Sequence, residues 1–261
     1  MLEVTWISTA SIMIRSEHAR ILFDPYGQPF VKDFKPFTDE ELQGVNAVFI
    51  THPHLDHFGD IDKFTARLSC PFYVCKRGIQ TARKLKINLQ KFRVLFPHET
   101  ISVNDLTVYV YQGKHCDLEF RQVPQILSRI RNRRDLAAGF KLAIQNYRTF
   151  TIMPEDIYTF EITDGEKSVF LMGSANVFEE DPGPAGADLL VYPYQGRIEM
   201  KKYSEKIISF YRPSRVLLSH FDDAFPPLTK RMDTAGFIEY MKERTPEIEI
   251  IEPHRGIWYK V

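Results

Sequence analysis

Residues 45–60, "VNAVFITHPHLDHFGD", run a continuous apolar stretch straight into three histidines and an aspartate. A strand without polar alternation is what a sheet covered on both faces requires, so "NAVFIT" calls for a layered α/β architecture. The polar cluster at its carboxyl end then falls on the rim where ligands of such folds bind. One stretch therefore constrains both the fold and the site.

The rest of the chain supplies the layers. "LEVTWI", "SIMIRS" and "ARILFDP" read as consecutive antiparallel strands, and "TDEELQG" as a short helix with a Thr38/Glu41 capping box that Gly44 closes. Behind the histidines, "DIDKFTARL" and "GIQTARKLKI" predict helices that alternate with the strands "PFYVCK" and "FRVLF". "ISVNDLTVYVYQG" predicts two strands about a turn at residues 103–105, and "YTFEIT" pairs with "SVFLMG" across Asp164-Gly165. Next come buried strands "ADLLVYPY" and "RVLLSH" around a helix "KKYSEKIISFY", then a helix "TAGFIEYMKER" and the closing strands "EIEII" and "GIWYKV". Residues 118–151 break the alternation. Ile126, Leu127, Ile130, Leu136, Ala137, Phe140, Leu142 and Ile144 fall at mixed helical spacing beside Arg129, Arg131, Arg133 and Arg134, which predicts a helical insertion acting as a lid or dimer element. The economical description is one domain over residues 1–261 with that insertion inside it.

Charge narrows the partners. With 34 basic and 34 acidic residues the overall field favours neither nucleic acid nor an anionic membrane, which leaves a small-molecule substrate and a homo-oligomer through 118–151 as the expected contacts. No run reaches the roughly 18–20 apolar residues of a membrane span. Cys70, Cys75 and Cys116 make an odd number without framework spacing, and the opening "MLEVTWIST" has no leader pattern, so a cytoplasmic location is expected.

Four strand ends carry the chemistry: "FITHPHLDH", "YQGKHCD", "FLMGSAN" and "LLSHFDD". They gather His52, His54, His57, His115 and His220 with Asp56, enough for one or two transition-metal ions with an open position for water. Cys116 follows His115 directly; neighbours on a strand point to opposite faces, so Cys116 reads as structural.

"HPHLDH" resembles the H-x-H-x-D-H signature of the metallo-β-lactamase superfamily, and "VTWISTASIMIRSEHARILFDPY" is similar to the opening of its lactonase-like and phosphodiesterase-like branch. The resemblance covers nearly the whole chain and implies a four-layer αββα sandwich with its metals at one edge between two sheets. It implies that His52, His54 and His115 hold one metal, that Asp56, His57 and His220 hold a second, and that Asp56 also orients or deprotonates the attacking water. Zn²⁺ is the expected ion, with Mn²⁺ or Fe²⁺ acceptable to the same donors. The implied activity is metal-dependent hydrolysis of a small ester, lactone or phosphodiester. The alternative is a degenerate one-metal member that binds or senses.

One position departs from the pattern. Where the family carries a bridging aspartate after a strand-end glycine, this chain has Ser174 in "LMGSAN", unless Asp164 or Asp188 is the true bridge. A neutral hydroxyl does not offset the repulsion of two dications, so the second site is expected to be weaker unless Asn176, Asp117 or Asp222 compensates. Asp24 in "FDPY" is expected to bond a ligating imidazole. Tyr194 and Arg197 in "YPYQGR", and Lys114 beside His115, are the weak candidates for holding substrate.

Overall fold

The computed structural model describes residues 1–28, 30–32, 34–116, 124, 128–130, 133–226 and 228–261. The chain runs through β1 (Glu3–Ser8), β2 (Ser11–Arg15), β3 (Arg20–Phe23), β4 (Ala47–Phe49), β5 (Phe72–Val74) and β6 (Phe92–Val94). It crosses to a second sheet for β7 (Thr100–Val103), β8 (Leu106–Gln112), β9 (Tyr158–Thr163), β10 (Ser168–Leu171), β11 (Leu189–Pro193), β12 (Arg215–Ser219) and β13 (Glu249–Ile251), and returns with β14 (Tyr259–Lys260). The strand orders are β14-β1-β2-β3-β4-β5-β6 and β13-β12-β11-β10-β9-β8-β7. Helices α1 (Asp39–Leu42), α2 (Leu55–Phe58), α3 (Ile61–Arg67), α4 (Lys76–Lys84), α5 (Arg133–Thr149), α6 (Met200–Tyr211) and α7 (Thr234–Arg244), with a 3₁₀ turn at Pro154–Asp156, complete the described elements.

Strand periodicity builds the layers. Ile12, Ile14, Ile21 and Phe23 face a core shared with Phe160, Ile162, Leu189 and Val191, whereas their neighbours Met13 and Leu22 face the opposite side with Phe64 and Ala82. Leu190 and Tyr192 likewise turn away from the central core to meet Ile207, Phe237 and Met241. The result is helices, sheet, sheet, helices: the αββα arrangement. Each fully buried aliphatic or aromatic side chain contributes about 1.5–3 kcal/mol of transfer free energy, so the three apolar layers hold the sheets face to face. The capping box is present, with Thr38 Oγ1 accepting from Glu41 N at 3.1 Å and Glu41 Oε2 from Thr38 N at 2.8 Å.

Parallel pairing fixes the edge that matters. β3, β4, β5 and β6 are parallel neighbours, as are β10, β11, β12 and β13, so the carboxyl ends within each set lie along one edge. There the sheets nearly touch: Tyr158 N donates to Thr51 O at 2.8 Å. A Cβ on Gly173 would sit 2.4 Å from Tyr158 O and 2.8 Å from Thr51 Cβ, so only glycine lets β10 deliver Ser174 to this edge.

The segment 118–151 is described only in part. Ile126, Leu127 and Arg131 lie outside the described residues, while 133–149 form α5. Leu142 is buried against the α3/α4 side of the first sheet, but Leu136, Phe140 and Ile144, four residues apart on one face, stay exposed. Among the described residues no helix is long and apolar enough to cross a membrane.

Candidate metal centre

Local chain geometry places the candidate ligands. β4 ends at Phe49, Pro53 disfavours helical backbone at His52, and His54 takes the N-cap position of the one-turn helix α2 with φ −70° and ψ 161°. That turn carries Asp56 and His57. His115 arrives past the end of β8, and His220 follows β12 with φ +54°, a left-handed conformation that a non-glycine residue adopts only when its surroundings enforce it.

These six side chains form two groups. Ligating atoms of His52, His54 and His115 all lie within 4.8 Å of one another, and so do those of Asp56, His57 and His220. His52 Nε2 stands 3.1 Å from His54 Nδ1, and His220 Nε2 stands 2.9 Å from Asp56 Oδ2. The groups adjoin, with the rings of His52 and His57 4.0 Å apart between centroids.

Four of the five imidazoles are aimed by an oxygen on the far side. His57 Nδ1 lies 2.8 Å from Asp24 Oδ2, His115 Nδ1 2.7 Å from Cys116 O, His220 Nδ1 2.8 Å from Gln195 Oε1 and His52 Nδ1 3.0 Å from Thr51 Oγ1. Donation from Nδ1 to those oxygens leaves Nε2 bearing the lone pair toward the centre, the tautomer a metal ligand needs. Asp24 is itself buried with φ +43°, and its other bonds are to Thr51 N at 2.7 Å and Thr51 Oγ1 at 2.6 Å.

Burial sets the charges. It depresses the His54 pKa to about 3 and lowers His52 and His115, with the neighbouring imidazoles adding repulsion, so these rings are neutral near pH 7. Burial works to raise Asp56, but His57 and His220 outweigh it and hold that carboxyl well below the usual range. His220 is pushed down by burial and raised on balance by its bond to Asp56.

The remaining candidates divide. Ser174 is 7% exposed, lines the cavity over the histidines, and its Oγ accepts from Cys116 N at 3.1 Å. Asp188 Oδ2 accepts from Ser168 N at 2.9 Å and Asp164 Oδ1 from Lys167 N at 2.9 Å, which places both at the start of β10, the opposite end from Ser174. Asn176 is committed elsewhere, donating to His115 O at 2.9 Å and accepting from Tyr203 Oη at 2.7 Å. Asp222 Oδ2 accepts from Thr9 N at 2.9 Å and from Gln28 Nε2; Asp117 lies outside the described residues.

Two substrate candidates fall away from the cavity. Tyr194 is 1% exposed and stacks on Phe237 at 4.3 Å, because its side chain faces the α7 layer. Lys114 is exposed to solvent and is not part of the cavity wall, where its long charged side chain remains hydrated. Arg197 does line the cavity, and so does Cys116: past the end of β8 the strand alternation no longer applies, and both His115 and Cys116 face the site. Sequence reasoning missed Thr51 and Gln195, the oxygen partners of His52 and His220; their adjacency to strand ends in "FITHPH" and "YPYQG" was the available signal. It also missed the hold on His220 from the β1–β2 turn. Thr9 O accepts His220 N at 2.6 Å and Trp6 Nε1 at 2.9 Å, while the Trp6 ring stacks on Phe221 at 4.9 Å.

An αββα fold with paired histidine-rich triads at the sheet edge defines a metallo-β-lactamase-type protein. Residues 19–221 match the family described as Beta-lactamase superfamily domain, and the chain belongs to it. A UPF0173 metal-dependent hydrolase of Aeropyrum pernix is 34% identical over 67 residues, 26% of either protein. The chain spans between about a quarter and a half of the length of the first curated relatives it matches. Among solved structures, the metallo-beta-lactamase fold protein YhfI of Bacillus subtilis superposes with TM-score 0.66 at 16% identity over 100% of both chains. Igni18, a metallo hydrolase of Ignicoccus hospitalis, gives 0.62 at 15% identity over 100% of this chain and 99% of its own.

Proposed function

We propose that the protein is a metal-dependent hydrolase acting on a small ester, lactone or phosphodiester. The observation that carries this is the convergence of two triads of ligating atoms at one cavity, each within 4.8 Å, with four imidazoles turned toward the centre by oxygen partners. Such a donor set fits a divalent transition metal, and zinc best, because neutral imidazoles and one carboxylate suit its coordination. His52, His54 and His115 would hold one ion; Asp56, His57 and His220 would hold the other. A bound ion supplies a water of lowered pKa and polarises the oxygen that gains charge.

The chain's own groups do the rest. Asp56, kept ionised by His57 and His220, is the base that orients and deprotonates the attacking water. The hydrophobic part of the cavity wall excludes competing water from the reacting bond. Cys75 and Cys70 are not nucleophiles, since burial raises their thiols to about 12 and about 11. Three cysteines without a framework spacing favour a reducing, cytoplasmic setting.

The test combines metal analysis of purified protein with hydrolysis of generic ester, lactone and phosphodiester substrates. His54→Ala should lose metal and at least about 100-fold in rate while its circular dichroism is unchanged, a larger loss than removing a group outside the ligands causes. Activity equal to wild type in that variant would refute the reading. Ser174 favours a second reading, a one-metal binding or sensing module, because a neutral hydroxyl lines the cavity at the position where the family resemblance expects a carboxylate. Two tightly held ions per chain together with turnover would exclude it.

A further inference from the structure

The cavity above the histidines, about 510 Å³, is built for more than a reacting bond. Among the described lining residues the cations are Arg129, Arg197 and Lys230, and Asp56 is the one carboxylate. Asp56 is already committed to His57 and His220. Among the described lining residues cationic side chains thus outnumber carboxylates, in a chain whose total charge is zero.

Arg197 is held in register with the metal ligands. Its guanidinium carbon lies 4.1 Å from the centroid of the Tyr203 ring, Tyr203 Oη donates to Asn176 Oδ1 at 2.7 Å, and Asn176 Nδ2 donates to His115 O at 2.9 Å. The turn before it packs equally closely. Gly196 has φ +112°, and a Cβ there would lie 2.5 Å from Cys116 Sγ, the residue next to His115. Two independent contacts thus tie the arginine's position to that of a ligating histidine. Arg129, half-buried, is fixed by donation from Nη1 to Leu228 O at 2.7 Å. Ile198, Phe225, Leu228 and Met232 supply apolar wall between these cations.

We infer that the cavity selects a small substrate bearing an apolar body and a fixed negative charge, carboxylate or phosphate, and that Arg197 with Arg129 holds that charge while the reacting bond lies over the triads. A pre-organised guanidinium pays little ordering entropy when it grips such a group in two-point fashion. Lys230, exposed at the mouth, adds attraction during approach. The word substrate rests on the hydrolase reading above; the binding preference does not.

Calorimetric titration of the zinc-loaded protein with hydrolysis-inert probes tests it: 4-phenylbutyrate and phenylphosphonate against neutral 4-phenylbutyramide, with ester hydrolysis assayed on the same preparations. The expected result is that one or both anions bind roughly tenfold or more tightly than the amide, with a preference that weakens as salt rises. Carboxylate preference and phosphonate preference distinguish the two forms of the charge. Arg197→Gln should bring the anion to within about threefold of the amide, and Arg197→Lys should restore part of the difference. If Arg197→Gln misfolds, Arg129→Gln and Lys230→Gln carry the same comparison. Equal binding of anions and amide, or an anion preference untouched by all three neutralising variants, overturns the inference, the latter because the ion alone would then be the receptor. An anion preference without any hydrolysis overturns the hydrolase reading and leaves this one standing; hydrolysis without the preference does the reverse.

Discussion

The two triads at the sheet edge are held in different ways. His52, His54 and His115 are three neutral imidazoles, with Thr51 Oγ1 behind His52 and Cys116 O behind His115. Asp56, His57 and His220 include a carboxylate, and buried Asp24, Gln195 and the Thr9–Asp222 contact brace them. Two of the residues in that second arrangement, Asp24 and His220, occupy left-handed backbone, with φ +43° and +54°. Strain of this kind costs on the order of 1–3 kcal/mol per residue and survives only where surrounding contacts enforce it. The triad that includes a carboxylate is thus the one the fold constrains most.

Asp24→Asn breaks that asymmetry with the largest expected effect. The amide has the shape of the carboxylate but cannot accept from His57 Nδ1, Thr51 N and Thr51 Oγ1 together as the anion does. Loss of such a partner typically costs 10–100-fold in metal affinity or activity, and here it should fall most heavily on the second equivalent of metal, with a smaller loss at the first because Asp24 also holds Thr51 Oγ1, the oxygen behind His52. Competitive titration with a chromogenic chelator reads the two equivalents separately. Equal weakening of both would show that Asp24 supports the whole edge and that the triads are not separately braced.

Ser174→Asp sharpens the comparison from the other side. It puts a carboxylate after Gly173, at a position that lines the cavity, while removing the hydroxyl that accepts from Cys116 N. The second equivalent should tighten by about tenfold, as expected when an anion separates two dications. No change in either equivalent would mean that position 174 does not lie between the ions.

Much of this was legible from residue order because the informative features are local. The capping box at Thr38, the Asp164-Gly165 hairpin and the continuous apolar run before His52 each depend on neighbours within a few positions, and each has the expected form in the fold. The six candidate ligands could be assembled because every one sits just past a strand or within the turn that follows it. What could not be read were contacts between distant segments. Gln195 behind His220, Thr9 across from Asp222 and the Tyr203–Asn176–His115 chain join residues whose adjacency exists only once the sheets have packed. Tyr194 shows the reverse error. A tyrosine beyond a strand end reads as a rim residue, yet the alternation of β11 continues through it and turns its ring toward α7.

Acid separates the triads by the sign of their response. In the first, burial lowers His52, His115 and His54, the last to about 3, so between that value and 6.5 the unfolded chain takes up protons that the folded chain refuses. Stability of the metal-free protein must then fall as pH drops below 6.5. In the second, His220 is raised, so its contribution is complete below 6.5 and is lost as pH rises through its folded value; Asp56, lowered, contributes above 3.8 and loses that only in stronger acid. Three histidines oppose one, and the urea midpoint should decline steadily from pH 7 to pH 4.5. His220→Gln removes the opposing contribution, which acts only above 6.5, so the fall between pH 7 and 6.5 should steepen in that variant while the slope at lower pH is unchanged. A midpoint that rises on acidification would mean that the first triad is charged in the folded protein. It could not then serve as the neutral set on which the first ion depends.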